Sequence, residues 1–152
     1  LQVADPLLVA VYRVTTYGGS SGIWTVEDSA PTYARWSLWC DGATTSDLRI
    51  DTNTTITAIQ RSGDTLARWQ VLCYRPSVRQ LYSDGFLVAN AADRTPTYPS
   101  GPYRTSITAG GQWAWLGLYD GATALSGTTF ADWALSVTAA LASRFGLPVR
   151  PS

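Results

Sequence analysis

From Leu7 to Tyr119 the chain is written in short apolar segments, some alternating and some unbroken, separated by turn residues. That pattern leaves room for little besides a β-sandwich or a barrel. Leu7–Val14 is nearly continuous apolar sequence and reads as a central strand. Ala34–Cys40 alternates cleanly, with Trp36, Leu38 and Cys40 on one face and Arg35, Ser37 and Trp39 on the other, as a half-buried strand requires. Arg68–Arg75 repeats the alternation through Trp69, Val71 and Cys73. Shorter strands are expected at Ile23–Glu27, around Leu48 and Ile50, and around Ile56 and Ile59. The last strand is expected at Gln112–Tyr119, with Trp113, Trp115 and Tyr119 sharing a face.

Turn chemistry agrees with this division. Asp84-Gly85 supplies the two positive-φ residues that a two-residue hairpin favours. Asn90–Arg104 holds Pro96, Pro99 and Pro102 and reads as one long loop, because proline cannot donate to a strand ladder. After Tyr119 the period changes. Phe130, Trp133, Ala134, Val137 and Leu141 fall at helical spacing, predicting an amphipathic helix within Thr129–Phe145. Thr129 with Asp132 has the form of a capping box, Gly146 stands at a C-cap position, and Pro148 prevents continuation.

The order of these features is similar to that of a known superfamily. Arg68-Trp69-Gln70-Val71, the hairpin Leu81-Tyr82-Ser83-Asp84-Gly85-Phe86-Leu87-Val88 and the ending Ala114-Trp115-Leu116-Gly117-Leu118-Tyr119-Asp120 carry the likeness, followed by Ala124-Leu125-Ser126 and Phe145-Gly146-Leu147. Together they resemble the laminin G-like, concanavalin A-like jelly-roll lectins. The resemblance implies an all-β, two-sheet antiparallel jelly-roll sandwich with one C-terminal amphipathic helix, spanning 1–152 as a single domain. Members carry an opening strand before the equivalent of Leu7–Val14, where here only six residues precede it. They include lectins, polysaccharide-degrading enzymes, adhesion domains and virion surface proteins, so the fold leaves function open.

Inventory narrows it. The chain has no His, which removes the commonest general base and the usual catalytic triads. Its single Glu, Glu27, stands beside Asp28, and neighbours in a strand face opposite ways, so the pair cannot share a glycosidase cleft unless the strand bulges there. No enzyme is expected. Net charge is zero, all cations are Arg, and no basic run is present, which argues against nucleic acid. No apolar stretch approaches the ~20 residues of a membrane helix. No signal peptide is visible, and a chain beginning at Leu1 implies processing, a fragment, or a TTG start codon.

Calcium wants several oxygen ligands, for which the weak candidates are Asp84, Asp93 and Asp120; each is more simply read as a turn former. Otherwise no cofactor is expected. Cys40 and Cys73 stand in different strands and could form one disulfide if adjacent in space; buried free thiols are the simpler reading. The aromatic residues remain. Trp39 sits away from its strand's apolar set, and the proline-rich segment carries Tyr98 and Tyr103 with Arg94 and Arg104. Such rings stack on sugars or anchor interfaces. The expected function is a non-catalytic, lectin-like recognition or adhesion module binding a glycan or protein surface through these five residues. The alternative is a virion structural subunit, a capsid decoration or tail protein, contacting other subunits. Either would place the protein outside the cell or on a particle surface, and both are compatible with oligomerisation.

Overall fold

A computed structural model describes the backbone of residues 5–14, 21–28, 35–41, 47–52, 55–59, 68–90, 103–106 and 111–148, and side chains within 5–13, 68–88 and 112–148. The strands are β1 (Pro6–Val14), β2 (Ser21–Asp28), β3 (Arg35–Asp41), β4 (Asp47–Thr52), β5 (Thr55–Ile59), β6 (Trp69–Arg75), β7 (Gln80–Ser83), β8 (Phe86–Asn90), β9 (Tyr103–Ser106) and β10 (Gly111–Asp120). A one-turn helix α1 (Gly121–Ala124) and a longer helix α2 (Phe130–Phe145) follow. Strand pairing is antiparallel throughout. One five-stranded sheet has the order β10-β1-β6-β7-β8, and a second has β5-β4-β3-β2-β9.

In the first sheet β1 lies inside, between β10 and β6, and its composition explains why. Leu7, Val9 and Val11 face one way with Val71, Cys73 and Tyr82, and α2 covers them with Phe130, Ala134 and Leu141. On the opposite face Leu8, Ala10, Tyr12, Leu72, Tyr74 and Leu81 are also buried, none exposed by more than 3%. A strand buried on both faces needs unbroken hydrophobicity. Each large apolar side chain so covered contributes about 1.5–3 kcal/mol.

The helix follows its sequence signals closely. Thr129 is the N-cap, its hydroxyl accepting the Asp132 N–H at 3.1 Å. Asp132 closes the motif differently from a Glu at that position, its shorter carboxylate accepting from the Thr129 hydroxyl at 2.7 Å. At the other end Gly146 adopts φ 62°. The Leu147 N–H reaches the Ala142 carbonyl at 2.8 Å and the Gly146 N–H that of Ser143 at 3.4 Å, the paired bonds of a Schellman stop. Trp133 is half-buried, its ring edge-on to Tyr119 at 5.5 Å and stacked on Phe130 at 6.1 Å.

Two expectations need correction. Tyr103 and Arg104 do not belong to a loop: they open β9, paired with Asp28 and Glu27 of β2. The ban on proline in a ladder ends at Pro102, one residue before the strand. Nor do Trp113, Trp115 and Tyr119 share a face. The register of β10 on β1 shifts at Ala114, so that Trp115 pairs with Val11 but Trp113 with Tyr12. This bulge sends Trp113 to the other side, against the Tyr12 ring at 4.8 Å.

Candidate functional site

Carboxylates on the first sheet are committed to the fold. Asp84 occupies the hairpin with φ 52°, followed by Gly85 at 82°. One of its oxygens accepts from the Arg68 guanidinium at 2.7 Å and the other from the Val71 N–H at 2.9 Å. Asp120 accepts from the Thr123 hydroxyl at 2.9 Å at the start of α1. Among the described residues no group of three or more acidic, Cys or His side chains could hold a metal ion; Asp93 lies outside them.

Asp5 was not expected to matter, yet it ties three segments together. Its carboxylate accepts from the Arg75 guanidinium at 2.7 Å and the Ser77 hydroxyl at 2.6 Å, and its carbonyl accepts the Gly121 N–H at 2.6 Å. The sequence separations of 70 and 72 residues explain why no local signal announced it.

Cys73 is a free thiol with no exposed surface. Burial pushes its pKa up to about 12, with the Asp84 charge adding to the shift and a Thr138 hydrogen bond opposing it. Such a group is an inert core residue, not a nucleophile. Tyr119 is likewise shifted upward by desolvation, with a further contribution from Cys73.

The second sheet offers a different surface, read from register. Trp39 in β3 stands opposite Gly22 of β2 and Arg49 of β4. Ser37 stands opposite Thr25 and Asp51, and Glu27 between Arg35 and Arg104. Since directly paired residues share a face and alternate residues repeat it, Trp39, Arg49, Asp51, Arg35, Glu27 and Arg104 lie on one face. The other face takes Trp24, Val26, Trp36, Leu38, Cys40, Leu48 and Ile50. One face is therefore mainly polar around Trp39, with Ile56 and Ala58 of β5 beside Asp51 and Arg49, and the other mainly apolar.

This register sorts the five expected binding residues. Trp39 and Arg104 share the polar face. Tyr103, adjacent to Arg104 in β9, falls on the apolar one. Arg94 and Tyr98 lie outside the described residues. Glu27 is weighed in the sequence only as a catalytic acid, and the alternation of β3 already puts Arg35 beside Trp39; Arg49 and Asp51 require knowing which strands pair. Glu27 and Asp28 hold successive register positions in a regular stretch, the register shift in β2 lying at Gly22–Trp24.

No family model matches the sequence, and no curated protein matches it. Among solved structures the chain is similar to the native heptameric SAP-like pentraxin from Limulus polyphemus. The TM-score is 0.57 and the identity 10%, over 90% of this chain and 70% of that one. The likeness is one of fold. The chain is mostly antiparallel sheet with a C-terminal helix, and in that arrangement it is similar to the pentraxin.

Proposed function

We propose that the protein is a non-catalytic glycan-recognition module of laminin G-like type, and that the polar face of the second sheet is its binding surface. The observation that carries this reading is the register of β3, with Trp39 set among Arg49, Asp51, Arg35, Glu27 and Arg104. An aromatic ring offers the C–H face of a pyranose a stacking partner. Carboxylates accept and guanidinium groups donate, so vicinal hydroxyls find both kinds of partner side by side.

Two apolar faces support a sandwich beneath that surface. The buried face of the first sheet, with Leu8, Leu72 and Tyr74, needs a cover, and the second sheet's Trp24, Trp36, Leu38 and Ile50 need burial. Sheets packed about 10 Å apart satisfy both at once. The polar face then points outward, as one domain working at a cell or particle surface demands. Absence of His and the single Glu support a role without chemistry. The fold likeness to a pentraxin agrees with recognition but does not name a ligand.

The test is a glycan array probed with labelled protein, followed by titration of the best hit against Trp39→Ala and Arg49→Ala. Binding that falls at least tenfold in Trp39→Ala, with an unchanged melting temperature, supports the reading. An empty array, or affinity retained in both variants, overturns it and leaves a protein partner.

A further inference from the structure

Charge on the first sheet is neutralised at two of its arginines and left open at a third. Arg68 is met by Asp84 and Arg75 by Asp5, each at 2.7 Å. Arg13, the next-to-last residue of β1, is met among the described residues by neutral groups alone. In the antiparallel register it stands directly between Gln112 of β10 and Trp69 of β6. The three side chains form one row on the sheet face that α2 packs against. The Arg13 guanidinium lies over the Trp69 ring, 5.0 Å from its centroid, and its Nη2 donates to the Gln112 Oε1. Its Nε is buried and donates to no acceptor. A guanidinium partly removed from water without a counter-charge is costly, and a ring face and an amide offset only part of that cost.

We propose that this row is a carboxylate subsite and that it takes a hexuronic acid unit of an acidic glycan. It shares the glycan reading but not the Trp39 surface. The donor inventory selects the ligand. With its Oε1 engaged by Arg13, the exposed Gln112 amide has only its two N–H donors left. The open N–H groups of Arg13 are donors too. A cluster that offers donors alone and carries one positive charge fits a group that only accepts and carries one negative charge. A carboxylate is such a group. Trp69 and Gln112 already hold the guanidinium, so little side-chain freedom is lost on binding. A sugar acid fits better than a free ion because of the next row on the same face. There Trp115 pairs with Val11, two positions from Arg13 and about 7 Å along the strand. Half-buried, its indole extends over Gly117, where a Cβ would collide with the ring. That strand glycine leaves the ring lying along β10, with surface on which an adjoining pyranose can stack.

Isothermal titration of the full chain with tetragalacturonate tests this, the fully methyl-esterified tetramer serving as the neutral control. The acid is expected to bind with a dissociation constant on the order of 0.1–1 mM and at least tenfold more tightly than the ester. Arg13→Gln removes that preference with an unchanged melting temperature. Gln112→Glu, at an exposed position, supplies the carboxylate from within the chain and abolishes uronate binding. It keeps the test decisive if Arg13→Gln does not fold. Equal affinity for acid and ester, no binding of the acid, or undiminished binding in folded Gln112→Glu overturns the inference. A sulfated neutral tetramer that binds more tightly than the uronate also overturns it. So does uronate binding that survives Arg13→Gln and is lost in Trp39→Ala. The acid then sits on the second sheet, and the glycan reading of that surface is untouched. Binding lost in Gln112→Glu and kept in Trp39→Ala supports the first-sheet subsite.

Discussion

Asp84 and Val71 are joined in both directions across β6 and β7: the Asp84 N–H donates to the Val71 carbonyl at 2.8 Å, and the Val71 N–H donates to the Asp84 carboxylate at 2.9 Å. An antiparallel ladder normally returns that second bond from backbone to backbone. Here the chain turns one residue too early, and the side chain supplies the missing acceptor.

Asp84→Ala therefore removes three things: the acceptor for a part-buried N–H, the partner of Arg68, and a residue tolerant of positive φ. The expected loss is about 2–4 kcal/mol. Asp84→Asn keeps the backbone preference and an acceptor and loses the charge on the Arg68 contact, so about half that is expected. Urea unfolding of the two variants checks the order. Equal losses would mean that the ion pair carries the effect alone.

Cys73 makes stability fall in alkali. The unfolded thiol titrates near 9 and the native one near 12, so above pH 9 the unfolded chain has released a proton that the native state retains. The native state's advantage is whole below pH 9 and is lost as pH rises toward 12. By pH 10 the loss from this group is about 1.4 kcal/mol. Cys73→Ala removes this slope while costing packing at every pH. Comparing urea midpoints of parent and variant at pH 8 and pH 10 reads the effect, because the other groups titrate alike in both apart from Tyr119, to whose upward shift Cys73 adds. Peptide mapping after native alkylation at pH 8 should find Cys73 unmodified.

How far the sequence discloses this molecule depends on range. Alternation identified β3 and β6, Asp84-Gly85 identified the hairpin, and Thr129 and Gly146 bounded the helix, because each signal lies within a few residues of the element it specifies. The bulge at Ala114 has no local signature: it is set by how β10 meets β1. The strand at Tyr103 was hidden by Pro102, whose restriction does not extend past itself. At the candidate site, Trp39 announced itself through its position in the alternation. Its neighbours Arg49 and Asp51 emerge only from pairing, and the three-way tie through Asp5 only from contacts spanning most of the chain.

That tie predicts a glycine requirement. A Cβ on Gly121 would lie 2.6 Å from the Asp5 carbonyl oxygen and 2.6 Å from its carboxylate. Both atoms are fixed, one by the backbone and the other by Arg75 and Ser77. Gly121→Ala must push the start of β1 away from α1, at a cost of about 1–3 kcal/mol. The opposite prior is that alanine favours a helix by up to about 1 kcal/mol. A variant more stable than the parent in thermal unfolding would show that the segment yields easily.

Trp36 and Trp39 lie three positions apart in β3 and so fall on opposite faces of the second sheet, which makes them a direct test of which face is inner. Trp36 stands between Val26 and Thr52, in the row that continues through Leu38 with Trp24 and Ile50. If that row packs on the buried face of the first sheet, Trp36→Ala opens a large cavity and costs about 3–5 kcal/mol. Trp39 stands between Gly22, which has no side chain to cover it, and Arg49. Truncating a surface ring there should stay within about 1 kcal/mol of the parent. Acrylamide quenching gives an independent readout, since Trp39→Phe should remove an accessible emitter and Trp36→Phe a shielded one. The reverse order in both experiments would turn the sheet over. Arg35, Glu27, Arg49, Asp51 and Arg104 would then be buried against an apolar layer, which is physically costly unless every charge finds a partner. That cost is why the polar face is expected to meet solvent and ligand.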